Sequence, residues 1–586
     1  MLKIFKYIKP KEWLQAGISL IFIVTQIWLD LELPDYMSEI TRLVQTPGSE
    51  MREIWIAGGW MLLCALGSLV SAIIVGFFAA RIGASFSQRL RSLLFNKVES
   101  FSMEEINRFS TSSLITRSTN DVTQVQMFVT MGLQLIVKAP IMAVWAVTKI
   151  LGKGFEWSIA TAVSILFLMV LVVFVMIFVM PVFKKMQVLT DNITRVTREN
   201  LTGLRVVRAY NAEKYQEEKF ETANDELTGA QLFTNRAMAV MMPSMNMIMS
   251  GLPLAIYLIG AYLINAASAM DRLTLFSDMV VFSQYAMQVI MSFVMMVMIF
   301  FILPRASVSA KRINEVLDTK PTVLDGNISD GKSERVGEVV FNHVSFKYPD
   351  AADYVLEDVS FTAKQGETVA FIGSTGSGKS TLINLVPRFF DATEGEILVD
   401  GVNVKDYKLE TLYNKIGYVP QKAVMFMGTV TSNVTFGENG GDDYSEAEVK
   451  KAVEIAQGTD FVEKMDDGYN ASISQGGTNL SGGQKQRLAI ARAVCRKPEI
   501  YIFDDSFSAL DYKTDRVLRS ALKRETAGVT SLIVAQRIGT IMDADQIIVL
   551  DEGRVAGRGT HKELLKTCEV YKEIAVSQLS EEELAS

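Results

Sequence analysis

The sequence predicts a membrane protein in two parts, an all-α region of six membrane-spanning helices and an α/β domain built around a phosphate-binding loop. The 586 residues are 49% hydrophobic and their mean hydropathy is +0.23, which is too apolar for a wholly soluble protein. Six apolar segments near the roughly 20 residues that a membrane helix needs lie in the first half. The second half contains a glycine-rich motif at residues 373–380 that matches the phosphate-loop pattern.

The chain begins with a basic stretch, Met1–Trp13, in which four lysines alternate with apolar residues. This pattern predicts an amphipathic helix on the inner membrane surface. A cleaved signal peptide is the alternative, but the apolar stretch that follows is long and lacks a small-residue cleavage site. The six predicted spans are Leu14–Leu33, Ile54–Ala80, Phe128–Leu151, Ile159–Val182, Met238–Ala266 and Phe276–Leu303.

Lysine and arginine are concentrated in two long stretches, between spans two and three and between spans four and five. The positive-inside rule places both stretches and both termini in the cytosol. Their helical periodicity predicts helices that continue the spans beyond the bilayer. We therefore expect a transmembrane domain over residues 1–318, in contact with membrane lipid. The net charge of −7 does not suggest nucleic acid as a partner.

Several residues in the spans have two interpretations. Lys138 lies inside span three, where a charge is a functional candidate by default, although snorkelling is an equally good account. Asp30 and Glu32 lie near the outer end of span one and belong either to an outer gate or to the headgroup region. Spans five and six are rich in methionine, for which packing and lipid contact is the first interpretation and a cavity for lipophilic compounds the second.

The composition changes after Pro304. Residues 319–336 are polar and contain Pro321, Gly326 and Gly331, as in a linker. Residues 337–578 alternate short β-rich runs with helical patterns, which predicts an α/β domain. Residues 579–586 form an acidic tail that we expect to be frayed or helical.

The phosphate loop lies between a predicted strand, Thr368–Ile372, and a helical pattern that opens at Thr381. Glycines let the backbone turn tightly, and the helix N-terminus favours negative charge. We expect Lys379 to reach the β- and γ-phosphates and the Ser380 hydroxyl to hold Mg²⁺. A glycine-rich turn is the alternative, but strand, loop and helix all agree with a nucleotide site. The predicted contacts are Gly373, Ser374, Thr375, Gly376, Ser377, Gly378, Lys379, Ser380 and Thr381.

Four further motifs accompany the loop. Tyr348 offers an aromatic ring that can stack on a nucleobase. Gln421 follows the apolar strand Ile416–Pro420, and Leu480-Ser481-Gly482-Gly483-Gln484 precedes a basic run. Asp504 ends a buried apolar strand, the arrangement that supports Mg²⁺ behind a phosphate loop.

Together these motifs resemble those of the ATP-binding cassette (ABC) transporters, and six spans before one cassette look like an exporter-type half-transporter. The resemblance implies that two cassettes close head to tail around two ATP molecules, each held with Mg²⁺. One chain's phosphate loop and the other's signature, here Ser481, Gly482, Gly483 and Gln484, would enclose each ATP. The implied Mg²⁺ ligands are Ser380, Gln421 and Asp504. Short coupling helices are implied near Glu104–Ser110 and Gly203–Ala212.

Two positions depart from the family pattern. Asp505 stands where the family usually has glutamate, and Gln536 stands where it usually has histidine. Aspartate is one methylene shorter than glutamate, a difference in reach of roughly 1.5 Å. Glutamine, unlike histidine, cannot take up a proton and become charged. We therefore expect a degenerate site in which Asp505, Gln536 and Gln421 surround the reacting phosphate but support slow hydrolysis. The alternative is a homodimer that tolerates both variants.

The sequence thus predicts one subunit of a heterodimeric exporter that moves lipophilic or drug-like compounds outward, similar to the degenerate-site subunit of bacterial multidrug exporters. The expected partner is a second half-transporter with the glutamate and histidine intact. The alternatives are a regulatory membrane protein that binds ATP without pumping, and an importer built on the exporter architecture.

Overall fold

The computed structural model forms two compact units, which we describe separately. The first comprises Met1–Glu99 and Ser112–Thr319, and the second comprises Ser100–Thr111 and Lys320–Ser586. The structure describes residues 2–46, 48–151, 153–268, 271–349, 351–437 and 444–579. The predicted acidic tail, apart from Leu579, therefore lies outside the described residues.

The first unit contains six helices that are long and apolar enough to cross a membrane, among the residues described. Each predicted span lies within one of them, except that the third extends one residue beyond Ile150, so the six-helix prediction is confirmed. The helices that precede the linker, in chain order, are α1 Pro10–Gln45, α2 Met51–Glu99, α3 Met103–Phe109, α4 Thr111–Ile150, α5 Phe155–Thr202, α6 Leu204–Ala209, α7 Glu213–Ala266 and α8 Arg272–Asp318. Helix α4 widens into a π-helical turn at Leu133–Val137.

The N-terminal stretch differs from the prediction of one amphipathic helix over Met1–Trp13. Leu2–Tyr7 is a short 3₁₀-helix, and α1 already begins at Pro10. Proline is favoured at the first helical position because it lacks an N–H and has a fixed φ. It also restricts the residue before it, and Lys9 is extended. The last four residues of the predicted helix therefore belong to the first spanning helix.

Aromatic side chains form the centre of the spanning unit. Trp157 and Phe282 are fully buried, with ring centroids 5.5 Å apart. Met245 and Met249 pack against the same core, whereas Met242 is exposed. The methionines of span five therefore divide between the core and the exposed surface, and both interpretations given to them stay predictions.

A buried ion pair joins the start of α1 to α2. Arg89 donates from Nη2 to Glu12 Oε1 at 2.9 Å and from Nη1 to Glu12 Oε2 at 3.0 Å. Ser85 Oγ donates to the same carboxylate at 2.7 Å, and Arg89 also reaches the carbonyl oxygen of Tyr7. Glu12 is only 4% exposed. The pair thus ties the N-terminal segment to the second spanning helix.

The second unit is the predicted α/β domain. Its strands are β1 Val339–Phe346, β2 Leu356–Ala363, β3 Thr368–Gly373, β4 Glu394–Val399, β5 Val402–Asn403, β6 Ile416–Val419, β7 Gly428–Thr429, β8 Ser472–Ile473, β9 Ile500–Asp504, β10 Thr530–Val534, β11 Gln546–Asp551 and β12 Arg554–Gly559. The six-stranded sheet has the order β12-β11-β3-β10-β9-β6, in which only β12 is antiparallel, and the four-stranded antiparallel sheet has the order β2-β1-β4-β5.

Helices cover these sheets and complete the α/β architecture. They are α9 Lys379–Asn384, α10 Leu409–Asn414, α11 Val430–Val434, α12 Glu446–Ile455, α13 Thr459–Val462, α14 Gly482–Cys495, α15 Tyr512–Glu525, α16 Ile538–Ile541, α17 His561–Thr567 and α18 Glu569–Gln578.

The short helix α3 groups with the second unit, although the predicted division assigned it to residues 1–318. Glu105 accepts hydrogen bonds from the Ser102 hydroxyl at 2.6 Å and from the Thr322 backbone N–H at 3.0 Å. Burial alone would raise the pKa of Glu105, but these hydrogen bonds outweigh burial and lower it. A carboxylate therefore fixes this segment to the beginning of the linker.

Glu12→Gln should destabilise the spanning unit, because it leaves the Arg89 guanidinium buried without its counter-charge. Breaking a buried ion pair costs about 3 kcal/mol or more. The measurement is the temperature at which the detergent-solubilised chain loses its monodisperse folded fraction. The matched control is Glu199→Gln, whose carboxylate pairs with Lys219 at 3.1 Å while 51% exposed. Equal shifts in the two variants would contradict a structural role for the Glu12 pair.

Candidate nucleotide-binding site

The phosphate loop leaves the carboxyl end of β3, which lies between β10 and β11 in the middle of the sheet. A Cβ at Gly373 would collide with the carbonyl oxygen of Leu550. Gly378 has a φ of 92°, and a Cβ there would lie 2.7 Å from Leu356 Cδ2. Both positions therefore require glycine, and the turn between them delivers the chain to the start of α9.

Lys379, the first residue of α9, folds back over the loop. Its Nζ donates to the carbonyl oxygens of Gly373 at 2.9 Å and Ser374 at 2.6 Å. Burial lowers the pKa of Lys379, and the carboxylates of Asp505 and Asp504 oppose this effect. The ammonium thus lies between the loop and two acidic side chains, where it can meet phosphate oxygens.

Two of the three residues predicted to hold Mg²⁺, Ser380 and Asp504, are hydrogen-bonded to each other. Ser380 Oγ donates to Asp504 Oδ1 at 2.8 Å, and Asp504 is 5% exposed at the end of β9. Burial raises the pKa of Asp504, opposed by the bond from Ser380, while the neighbouring Asp505 raises it further. A hydroxyl beside a carboxylate fits the oxygen preference of Mg²⁺. Among the described residues no cluster of three His, Cys, Asp or Glu side chains forms a metal site, so phosphate and water oxygens would complete the coordination.

The three predicted catalytic residues, Asp505, Gln536 and Gln421, are in contact, because both glutamines donate to Asp505. Its Oδ2 accepts from Gln536 Nε2 at 2.8 Å and from Gln421 Nε2 at 3.3 Å. Burial raises the pKa of Asp505, and the hydrogen bonds from Gln421, Ser508 and Gln536 oppose the rise. The side chains come from the loops after β6, β9 and β10, so the sheet brings together residues 115 positions apart in the sequence.

Gln421 was also predicted as a Mg²⁺ ligand. Its amide nitrogen donates a hydrogen bond to Asp505, so the side chain is directed to the Asp505 carboxylate rather than to the Ser380–Asp504 hydrogen bond. The amide oxygen is the atom that a cation would use. The ligand role of Gln421 remains a prediction.

Tyr348 is fixed beside the phosphate-loop helix. Its hydroxyl lies 3.1 Å from Thr381 Oγ1, and its ring packs edge-on against Phe346 and Phe390 with centroids 5.0 and 5.4 Å away. The ring is only partly buried. This position suits a ring that stacks on a base whose phosphates occupy the loop.

The signature residues form the exposed N-terminus of the 14-residue helix α14. Ser481 Oγ accepts from the Gln484 backbone N–H at 3.3 Å, and Gln484 Oε1 accepts from the Ser481 N–H at 2.8 Å. This reciprocal capping box fixes the first turn. Gly482 has open space where a Cβ would be, and Gly483 is partly exposed. The positive end of the helix dipole is therefore accessible to an anion.

Sequence reasoning missed Gln578, the last residue of α18. Its Nε2 donates to the carbonyl oxygen of Gln536 at 2.8 Å, and its Oε1 accepts from the Ile538 N–H at 2.8 Å. One side chain thus clamps both sides of the turn that carries Gln536. No local motif marks Gln578, because the contact spans about forty residues.

Arg492 was also missed, and it stabilises the segment that follows Gln421. Its guanidinium donates to the carbonyl oxygens of Asn433 at 2.7 Å and Val424 at 3.1 Å, and it lies over the ring of Phe426. Burial lowers the pKa of Arg492 to about 10, so the group stays charged at neutral pH. The only sign of this role in the sequence is that Arg492 is a basic residue within the apolar run Leu488–Cys495.

Comparison with known proteins gives a consistent result over the whole chain. A family model described as ABC transporter transmembrane region matches residues 16–305, and one described as ABC transporter matches residues 356–508. An ABC transporter ATP-binding protein of Mycobacterium tuberculosis is 38% identical over 98% of this chain and 97% of its own length. YfiB, an ABC transporter ATP-binding protein of Bacillus subtilis, is 36% identical over 99% of both chains.

Two further likenesses concern lipid transport and fold. An ATP-dependent lipid A-core flippase of Aromatoleum aromaticum is 32% identical over 86% of this chain and 82% of its own length. The solved structure of a bacterial Atm1-family ABC exporter with ATP bound superposes with a TM-score of 0.76, covering 97% of this chain and 99% of that one. At 23% identity this second likeness shows the fold alone.

Lys379→Ala should weaken nucleotide binding at the site built on this chain's phosphate loop. Losing hydrogen bonds from a charged donor corresponds to about a tenfold to hundredfold rise in Kd. The measurement is displacement of a fluorescent ATP analogue from the full-length chain, with the exposed Lys572→Ala as control. Unchanged affinity in Lys379→Ala would rule out this lysine as a phosphate ligand.

Proposed function

Because the chain belongs to the ABC transporter family and has the exporter-type fold, we propose that it is one subunit of a heterodimeric, ATP-driven exporter. The chain is a multi-pass membrane protein. In the proposed arrangement it lies in the cell membrane with both termini and the nucleotide-binding domain in the cytosol. Bound ATP and Mg²⁺ supply the phosphoryl group and neutralise its charge, and the chain's own residues position them.

The arrangement around Asp505 carries the proposal of a degenerate site. Both glutamines donate to one carboxylate oxygen, so Asp505 is held in place by two neutral amides. A carboxylate shorter by about 1.5 Å misplaces the attacking water, and an error of that size costs on the order of 10²-fold in rate. Gln536 can donate a hydrogen bond but cannot carry the charge that a protonated histidine would.

The intact signature supports a partner chain. Ser481 and Gly483 lie on an accessible helix end, which suits ATP held on the phosphate loop of another subunit. We infer that the partner has glutamate and histidine where this chain has Asp505 and Gln536. Turnover then occurs mainly at the composite site that this chain completes with its signature.

In the proposed transport cycle, short coupling helices transmit the closure of the cassettes to the spanning helices. Two short helices, α3 and α6, occur where coupling helices were predicted, and both are candidates for transmitting cassette closure to the spans. Closure on ATP would turn the cavity outward. The flippase relative and the apolar spans support a lipophilic or lipid-like cargo.

Asymmetric turnover is the first consequence of this proposal. In the assembled pair, Asp505→Asn should lower steady-state ATP hydrolysis less than about threefold, whereas replacing the partner's matching glutamate by glutamine should lower it on the order of 10²-fold or more. The two variants serve as controls for each other, because each changes one carboxylate to its amide. Equal losses, or robust hydrolysis by this chain alone, would favour a homodimer with two working Asp505 sites.

Outward transport is the second consequence. Inside-out vesicles containing both subunits should accumulate a lipophilic fluorescent dye when ATP and Mg²⁺ are supplied, and chelation of Mg²⁺ should abolish the accumulation. ATP binding without accumulation of any dye would support a regulatory protein. Uptake confined to right-side-out vesicles would indicate an importer.

A further inference from the structure

A small polar cavity lies among the spanning helices α1, α2 and α4. It measures 110 Å³ and is lined by Ile23, Gln26, Ala72, Val75, Gln134 and Lys138. The amides of Gln26 and Gln134 have no hydrogen bond to another described residue. Gln134 is exposed and Gln26 and Lys138 are half-buried, so these polar groups line an open pocket that polar contents can enter.

The charge of Lys138 is balanced but its hydrogen-bonding capacity is not. The ammonium has three N–H donors. Among the described residues its hydrogen-bond partner is Asp30 Oδ2, at 3.5 Å from Nζ, which is the limit of a hydrogen bond. Asp30 itself is held more firmly, since its Oδ1 accepts from Ser68 and its backbone oxygen accepts from Gln288 at 3.1 Å. The ammonium is therefore the group that can take a further acceptor.

A second cavity, which is apolar, lies farther along the same helices. It measures 210 Å³, and its lining includes Ile82, Phe128, Leu133 and Val137. On α4, Val137 faces the apolar cavity and Lys138 the polar one, next to the π-helical turn. On α1 and α2 the nearest lining residues are seven positions apart, Ala16 from Ile23 and Val75 from Ile82, which is about 10 Å along a helix.

We propose that the two cavities together bind a single-chain anionic amphiphile, with its carboxylate or phosphate at Lys138, Gln26 and Gln134 and its alkyl chain in the apolar cavity. An anionic oxygen group uses the free donors of the ammonium and of both amides. The polar cavity suits a headgroup and is too small for a whole drug-sized ligand, because pockets for such ligands measure roughly 300–1,000 Å³. As a statement about cargo, the inference rests on the proposed export function.

Direct binding tests the site without ATP. The full-length chain in lipid nanodiscs is loaded with a fluorescent dodecanoate, which is then displaced by dodecanoate, dodecyl phosphate, dodecanol or dodecyltrimethylammonium. We expect the two anions to displace it at concentrations at least about tenfold lower than the alcohol. The stronger of the two anions identifies the headgroup. Equal displacement by the alcohol, or stronger displacement by the cation, would overturn the proposal.

Variants separate a ligand site from a structural ion pair. Lys138→Gln should remove the preference for anions, Lys138→Arg should keep it, and Lys149→Gln is the matched control, since Lys149 pairs with Asp35 outside the cavity. Asp30→Asn should strengthen anion binding because it removes the competing carboxylate. If Asp30→Asn weakens binding as much as Lys138→Gln does, the pair only joins α1 to α4.

The same measurements distinguish this inference from the proposed function. Anion binding that depends on Lys138, in a chain that supports no ATP-driven accumulation, would overturn the export function and leave the site standing. Export of a lipophilic dye by a pair whose Lys138→Gln subunit binds anions like the wild type would overturn the site alone.

Discussion

The nucleotide unit depends on the parallel pairing of β10 with both β3 and β9. In this register Val534 lies opposite Phe371 on one side and Asp504 on the other, so three strands end at the same edge of the sheet. The phosphate loop, the predicted Mg²⁺ ligand Asp504 and the turn carrying Gln536 therefore start from adjacent points. Fully buried apolar side chains pack around these strands, so this edge of the sheet is a rigid support for the polar side chains that follow the strands.

Rigidity at this edge continues into the turns. Asp505 has a φ of 44°, a left-handed conformation that an ordinary side chain adopts only when its surroundings impose it. Its N–H donates to the carbonyl oxygen of Val534 at 3.0 Å, and its carbonyl oxygen accepts from Ser508 Oγ at 2.9 Å. Gln578 fixes the Gln536 turn from the opposite side. Asp505 and Gln536 are thus positioned by contacts that neither residue's own motif contains.

What the sequence could predict follows from the range of each interaction. The six spans and the phosphate loop depend on local patterns, so they were visible without a structure. The clamp by Gln578 and the attachment of Glu105 to Thr322 depend on contacts across about 40 and 217 residues, respectively. Lys138 lies between these two cases. Its charge within a span could be seen in the sequence, but its pairing with Asp30, 108 residues away, could not. The prediction of one helix over Met1–Trp13 was wrong because it relied on the spacing of the lysines and neglected Pro10, which starts a new helix and keeps Lys9 extended.

The two residues that depart from the family pattern are in direct contact. Gln536 Nε2 lies 2.8 Å from Asp505 Oδ2, so each residue is the other's hydrogen-bond partner. A glutamate at position 505 would reach about 1.5 Å farther, and a histidine at position 536 would offer a ring nitrogen in place of the amide donor. A change at either position would therefore alter the hydrogen bond that the other residue makes. This contact makes Asp505 and Gln536 a single unit in the proposed degenerate site, while the signature of the same chain keeps its capped and accessible form.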